Sequence, residues 1–196
     1  MRERWTMHQP ETAMNLADAP LRRISADDMH AMVEAGILND DDRVELIDGR
    51  LIVMEPIGWP HANTVTKLTR LCIHRTPFPI SPRNPLRLSA YTEPQPDLVI
   101  LRPDRDPDGP ILGPHALVVV EVADTSIAYD RDVKLERYAR AGVPIVWIVD
   151  VHERIVDVYS LPERNVYALR ETPTDLHLPG GDTLHVSEIF PPSHGS

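Results

Sequence analysis

Cysteine is nearly absent from this chain: Cys72 stands alone among 196 residues. One thiol excludes an intramolecular disulfide framework, and a reducing, cytoplasmic setting is the simple expectation. Long apolar runs are missing as well. No stretch approaches the roughly 18 residues of a membrane span, and the opening MRERWTMHQPETAMN lacks the apolar core expected of a secretory leader, so a membrane is not an expected partner. Positive charge is scarce. Twenty Lys and Arg face 30 Asp and Glu, for a formal net charge of -10. That balance argues against a broad basic surface for nucleic acid while allowing a small basic groove, and it suits metal-binding carboxylates or plain solubility. GxxxxGK[ST], GxGxxG and GxSxG are all absent, which lowers the odds of NTPase, dinucleotide and hydrolase-elbow chemistry. The nine histidines show neither HExxH nor a paired metal spacing, so no zinc site is expected. No internal repeat or low-complexity segment is present.

What is there is ordinary globular material, 42% hydrophobic and 26% charged, long enough for one domain with its own core. Twenty prolines, most of them between 56 and 114 and at the ends, mark loops and edges. Residues 1–18 read as a flexible tail, 19–190 as a single domain and 191–196 as a second tail. Ser25 followed by Asp28 has the form of a capping box. It opens a helix with Met29, Met32 and Val33 at helical spacing, ended by Gly36. RVELIDGRLIVME reads as two strands joined at Asp48-Gly49, a strong hairpin signal. Pro60 to Arg75 reads as a helix with Val65, Leu68, Leu71 and Cys72 on one face, which makes Cys72 a core residue rather than a nucleophile.

LRLSA (86–90), PDLVIL (96–101), ALVVVEV (116–122) and PIVWIVD (144–150) read as strands, and 102–114 as a long turn. Residues 130–141 read as a helix with Asp130 as N-cap and Leu135, Tyr138 and Ala139 inward, ended by Gly142. Its Arg131, Arg137 and Arg140 form a basic side. That side is either a phosphate-backbone contact or a solvated face with Glu136–Arg140 pairing. RIVDVYSL and NVYALRE alternate as a meander, and GDTLHV is a last short strand. The order of elements is that of an α+β domain built on a mixed sheet.

One charge is out of place. Glu121 interrupts the apolar run 116–123, where an ionised carboxylate is costly unless something pairs with it. Asp97 opens the preceding strand. If the two strands pair antiparallel, 97 and 121 oppose each other about a midpoint of 109, inside Asp108-Gly109-Pro110, and opposed residues share a face. Two carboxylates that close repel, and a divalent cation compensates them. A structural ion pair with Arg or Lys, or a solvated sheet face, accounts for Glu121 equally well. Lys134 lies in the early turns of the next helix, with a stem able to reach back. An ammonium there could stabilise developing charge or an attacking water; an exposed helix lysine is the commoner fate. His61, after Trp59-Pro60, could bind phosphate or position water, or simply cap and pack.

Taken together, QPDLVIL, VVVEVADTS, YDRDVKLERYARAGVPIVWIVD and the earlier RVELIDGRLIVMEP with its downstream His61 resemble the Uma-two family, over about residues 20 to 190. That family is similar to the PD-(D/E)XK restriction endonucleases. The resemblance implies a restriction-endonuclease-like mixed β-sheet flanked by helices, with an additional antiparallel meander. It implies metal-ligand roles for Asp97 and Glu121, and it offers Glu45 as an acid completing the site; read by itself, Glu45 is equally a surface strand residue. The general pattern places a lysine two residues after the second acid. That position is Ala123 here, and the family pattern offers Lys134 instead. The segment usually close to GVPEYWIVD reads GVPIVWIVD, so Ile145 and Val146 predict a change in packing or partner surface. Asp124 reads as a cap or turn residue, or as an acid supporting the site.

The function implied is metal-dependent hydrolysis of nucleic-acid phosphodiesters. Mg²⁺ or Mn²⁺ would be held by Asp97 and Glu121 with the Val122 carbonyl. Lys134 would be catalytic, with Glu45 and His61 auxiliary. Two alternatives stand beside it: an inactive binding module on the same fold, favoured by the acidic charge, and a hydrolase of a small phosphorylated molecule using the same acids. Cutting both strands of a duplex commonly recruits two sites. A homodimer is therefore expected, through the meander edge or the Ile145–Val146 strand.

Overall fold

Apolar residues on β5 (Ala116–Ala123) alternate between two cores, and this organises the fold. In the computed structural model, which describes residues 21–190, β5 lies inside a six-stranded sheet of order β3-β4-β5-β6-β7-β8. The strands are β3 (Ile80–Pro82), β4 (Leu98–Leu101), β5, β6 (Ile145–Asp150), β7 (Ile155–Glu163) and β8 (Val166–Glu171). Only β5 and β6 pair parallel; the other neighbours are antiparallel. The sheet is therefore mixed, and β6-β7-β8 is the expected meander. Both expected tails, 1–18 and 191–196, lie outside the described residues.

Val118, Val120 and Val122 face a core shared with Val65, Leu68 and Cys72 of α2 (Trp59–Arg75) and with Leu176 and Leu184. The last two come from the separate hairpin β9 (Asp175–His177) and β10 (Thr183–His185). Val119 and Ala123 face the other core with Leu86, Leu135, Tyr138 and Val143. A strand covered on both faces needs no polar alternation, which is why β4 reads as an unbroken apolar run and β5 as one broken only at Glu121. Cys72 is fully buried, and burial pushes its thiol up to about 11, the state of an inert core cysteine.

The second layer is one continuous helix over 127–140. It comprises α3 (Ile127–Tyr129), a π-helical turn (Asp130–Lys134) and α4 (Leu135–Arg140). This corrects the expected start at 130. Asp130 is no N-cap: it sits within the helix, buried, and its carbonyl accepts from the Leu135 N–H across the π turn. The basic side is also corrected. Arg131 pairs with Asp157, Arg137 with Asp48 and Glu136, and Arg140 with Asp48. These arginines bolt the helix to the sheet and to the hairpin, with Arg140 still half-exposed, and no Glu136–Arg140 pair forms among the described residues.

That hairpin, β1 (Val44–Ile47) and β2 (Arg50–Val53), turns at Asp48 and Gly49, with φ of 50° and 79°, the left-handed pair of a type I′ turn. A Cβ on Gly49 would also lie 2.6 Å from Arg23 Cβ, so both backbone and space require glycine. The α1 helix (Ala26–Glu34) starts at the expected Ser25–Asp28 capping box. It buries Met29 but leaves Val33 exposed.

Two further expectations fail. LRLSA forms only isolated bridges, from Arg87 to Leu112 and from Ser89 to Thr92, because the chain turns back on itself at 89–92. Val146 is wholly buried in β6, which is paired on both edges, so the Ile145–Val146 strand offers no dimer surface. β3 and β9 are too short to have shown a pattern in the sequence.

Candidate functional site

The site is assembled where β4 begins and β5 ends. Leu98 stands opposite Val120 and Val99 opposite Val119. Continued by one step, this register opposes Asp97 and Glu121, the alignment expected from the midpoint at 109. Asp97 is tied to β5 directly: its Oδ2 accepts from the Val122 N–H at 2.8 Å. His61 Nε2, from the first turn of α2, lies 3.1 Å from the same oxygen, while His61 Nδ1 is buried with no hydrogen-bond partner among the described residues.

Glu121 is 3% exposed. Its Oε1 accepts from the Tyr138 hydroxyl and stands 3.3 Å from Lys134 Nζ. Lys134 reaches back from the helix, as its position allowed, and also meets Glu45 Oε2 at 3.2 Å and Asp130 Oδ1 at 3.7 Å. Glu45 accepts from the Tyr129 hydroxyl at 2.8 Å and from the Gln95 N–H at 3.2 Å. Asp130 Oδ2 accepts from the Ser126 hydroxyl at 2.6 Å. Glu45 is thus a buried member of the cluster and no surface strand residue. Lys134 is no exposed helix lysine. Tyr138 is both core and hydrogen-bond donor to Glu121. Asp124 stands apart from the cluster, 2.8 Å from His152.

Three buried carboxylates around one ammonium leave negative charge in excess. Burial raises the Glu121 pKa well above the usual carboxylate value; Lys134 opposes that rise, and Asp130, Asp97 and Glu45 add to it. Asp130 is raised for the same leading reason. For Lys134 burial acts to lower the pKa, but Glu121, Glu45 and Asp130 outweigh it and hold the amine well above its ordinary value. Lys134 is therefore a fixed ammonium. It can donate hydrogen bonds and offset negative charge.

These groups line a cleft of about 590 Å³. Its other wall is the segment 52–58, held at one point by the Thr125 hydroxyl donating to Glu55 at 2.7 Å. Gly58 is part of that wall, and a Cβ there would come within 3.0 Å of Asp124 Oδ2. Tyr129, Asp130 and Ser126 are the members not foreseen. Asp130 stands four residues before Lys134, the spacing at which helix side chains meet, and that signal was available in YDRDVK.

Among the described residues no three His, Cys, Asp or Glu side chains stand grouped as a ready-made metal site. The donor set nevertheless suits a hard divalent cation. The contacts above engage Oδ2 of Asp97 and Oε1 of Glu121, leaving the second oxygen of each outside them. The Val122 carbonyl leaves the strand on the same edge as the N–H that Asp97 binds. Two carboxylates and a carbonyl, with water completing the shell, is how Mg²⁺ is commonly held, and the local excess of negative charge is what such an ion offsets.

A mixed sheet packed on both faces, with acids from two paired strands meeting a lysine at one end, defines an α+β domain of the restriction-endonuclease-like class. The chain belongs to the Uma2 (Uma-two) family, described as "Putative restriction endonuclease", whose family model matches residues 26–194. No curated protein matches the chain. Among solved structures it is similar to a "putative nuclease belonging to DUF820" from Anabaena variabilis. The TM-score is 0.65 at 16% identity, over 85% of this chain and 97% of the other, a likeness that speaks for the fold alone.

Proposed function

We propose that this protein is a metal-dependent hydrolase of phosphodiester bonds in nucleic acid. The observation that carries the reading is the meeting of Asp97, Glu121 and Lys134 on the floor of one cleft, drawn from the start of β4, from β5 and from the helix beyond them. Asp97, Glu121 and the Val122 carbonyl would hold Mg²⁺ or Mn²⁺. When bound, such an ion activates water and neutralises phosphate charge. Lys134, fixed as an ammonium, donates toward a non-bridging phosphate oxygen or the attacking water and stabilises charge as it develops. Glu45 and Asp130 hold that ammonium in place, and Tyr138 fixes Glu121. His61 orients Asp97 through the contact at 3.1 Å.

One observation favours the rival, an inactive interaction module: Lys134 already spends its contacts on three carboxylates, as a purely structural ion cluster would. Cleavage of single- and double-stranded DNA and RNA with Mn²⁺ or Mg²⁺ separates the two. Asp97→Ala is expected to lower the rate by about 10²–10³ while remaining folded, the scale seen when one transition-state contact is lost. Cleavage unchanged in Asp97→Ala would assign the activity to a contaminant. Absence of cleavage by the wild type, together with no saturable Mn²⁺ binding, would leave the module.

A further inference from the structure

The cleft carries features the hydrolytic cluster does not use. Six carboxylates line it, Glu45, Glu55, Asp97, Glu121, Asp124 and Asp130, yet so do Arg43 and Arg83. Arg75, Arg87, Arg131, Arg137, Arg140 and Arg170 are all ion-paired. The side chains of Arg43 and Arg83 make no hydrogen bond or ion pair with any described residue. Each is placed next to the acids by its backbone. Arg43 precedes β1 by one residue and stands two before Glu45; the Arg83 N–H donates to the Asp97 carbonyl at 3.2 Å. Both residues adopt left-handed backbone, φ 42° and 52°, a conformation that side chains other than glycine adopt at a cost and that recurs at functional sites.

The second feature is apolar. The two most exposed large hydrophobic side chains among the described residues are Trp59, 82% exposed, and Val53, 74% exposed. Val53 lines the cleft. Trp59 lies between the lining residues Gly58 and His61, at the start of α2. An indole held in water between the cleft-lining Gly58 and His61, with two cleft-lining guanidinium groups that have no partner among the described residues, matches one kind of ligand, a strand whose phosphates meet the arginines and whose base is free to stack. A base inside a duplex has no free face for it.

We propose that the cleft takes an unpaired nucleic-acid strand, with Arg43 and Arg83 on phosphates flanking the reacting one and Trp59 as the stacking platform for a neighbouring base. This rests on the phosphodiester reading above and adds to it the class of strand and three residues that position it. The six carboxylates oppose any phosphate, so binding requires divalent cation.

The test is binding, measured apart from cleavage. A dye-labelled 12-mer of deoxythymidylate and a blunt duplex of equal length are titrated by anisotropy in millimolar Ca²⁺ and again in EDTA. Tryptophan emission is followed with a Trp5→Phe background, since Trp147 is buried. The single strand is expected to bind at least tenfold tighter than the duplex, to quench Trp59, and to be released by EDTA. Trp59→Ala should abolish the quench and weaken binding about tenfold, with Trp59→Phe retaining most of the affinity. Arg43→Ala with Arg83→Ala should reduce the slope of log K against log salt by about 1.4, two phosphates at about 0.7 each. Equal affinity for the duplex, unchanged binding by Trp59→Ala, or no binding by the wild type overturns the proposal. The same samples given Mn²⁺ keep the readings distinct. Cleavage without Trp59 dependence sinks the stacking site and leaves the hydrolase; quenching without cleavage sinks the hydrolase and leaves the stacking site.

Discussion

Two buried ionic clusters on this sheet draw on nearby residues of one helix and have opposite charge ratios. At Asp157, one carboxylate accepts from Arg131, Arg170 and Thr172. At Lys134, one ammonium faces Glu45, Glu121 and Asp130. Burial acts to raise the Asp157 pKa, but hydrogen bonds from Thr172, Arg170 and Arg131 outweigh it and hold the group below its usual value. In the other cluster burial wins, and Glu121 and Asp130 rise. The first cluster satisfies its one carboxylate with two guanidinium groups and a hydroxyl and serves as a bolt, although Arg131 Nε is buried with no hydrogen-bond partner among the described residues. The second is short of positive charge by construction, which is the condition under which a cleft recruits a cation.

The largest effect should come from removing the scarcer partner. Lys134→Met leaves three buried carboxylates without their ammonium and is expected to cost about 3–5 kcal/mol in urea unfolding; on the proposed function, metal-dependent cleavage is lost as well. A loss under about 1 kcal/mol, the scale of an exposed pair, would mean that the acids were never held by the lysine. Asp157→Asn breaks the arginine-rich cluster from its carboxylate side and should cost about 2–4 kcal/mol. Its pH dependence sharpens the contrast. A carboxylate with a depressed folded pKa contributes fully above its unfolded value, about 3.9, and loses that contribution as pH falls through the folded value. The gap between wild type and Asp157→Asn should therefore be flat from about pH 7 to about 5 and close below about 4; a gap that widened in acid would contradict the assignment.

Smaller effects are expected from single hydrogen bonds. Tyr138→Phe removes a donor from buried Glu121 and should cost about 1.5–3 kcal/mol, read as a shift in the denaturant midpoint. Arg170→Ala should cost under about 1 kcal/mol, because Arg170 is 55% exposed and Arg131 still holds Asp157. A cost comparable to that of Asp157→Asn would show the two arginines to be a coupled unit.

Much of this was legible in the residues, for identifiable reasons. The opposition of 97 and 121 could be read because a short antiparallel connection fixes the sum of paired positions. The hairpin was visible because only certain residues tolerate its turn. Lys134 was legible by position. A further signal lay in composition: Lys134 and Lys67 are the only lysines in the sequence, so a lysine in an arginine-rich helix stood out. Asp130 was misread because an acid before an apolar stretch resembles a cap, and nothing local announces a π turn. The arginines of that helix were misread because their partners are remote in the chain. Asp48 lies 89 residues from Arg137, and Asp157 lies 26 from Arg131; sequence windows do not see such distances.

The π turn has a mechanical consequence. One added residue rotates the turns before it by about 100° against the turns after it. The helix over 127–140 therefore has two phases. Its first half, with Tyr129, Asp130 and Lys134, is indexed to the cleft floor. Its second half, with Arg137 and Arg140, is indexed to the tip of the hairpin. Removing one residue between 130 and 134 would merge the phases and force the helix to keep one set of partners and abandon the other. The π turn is thus a coupling that lets the cleft end of the helix and its anchored end keep different partners.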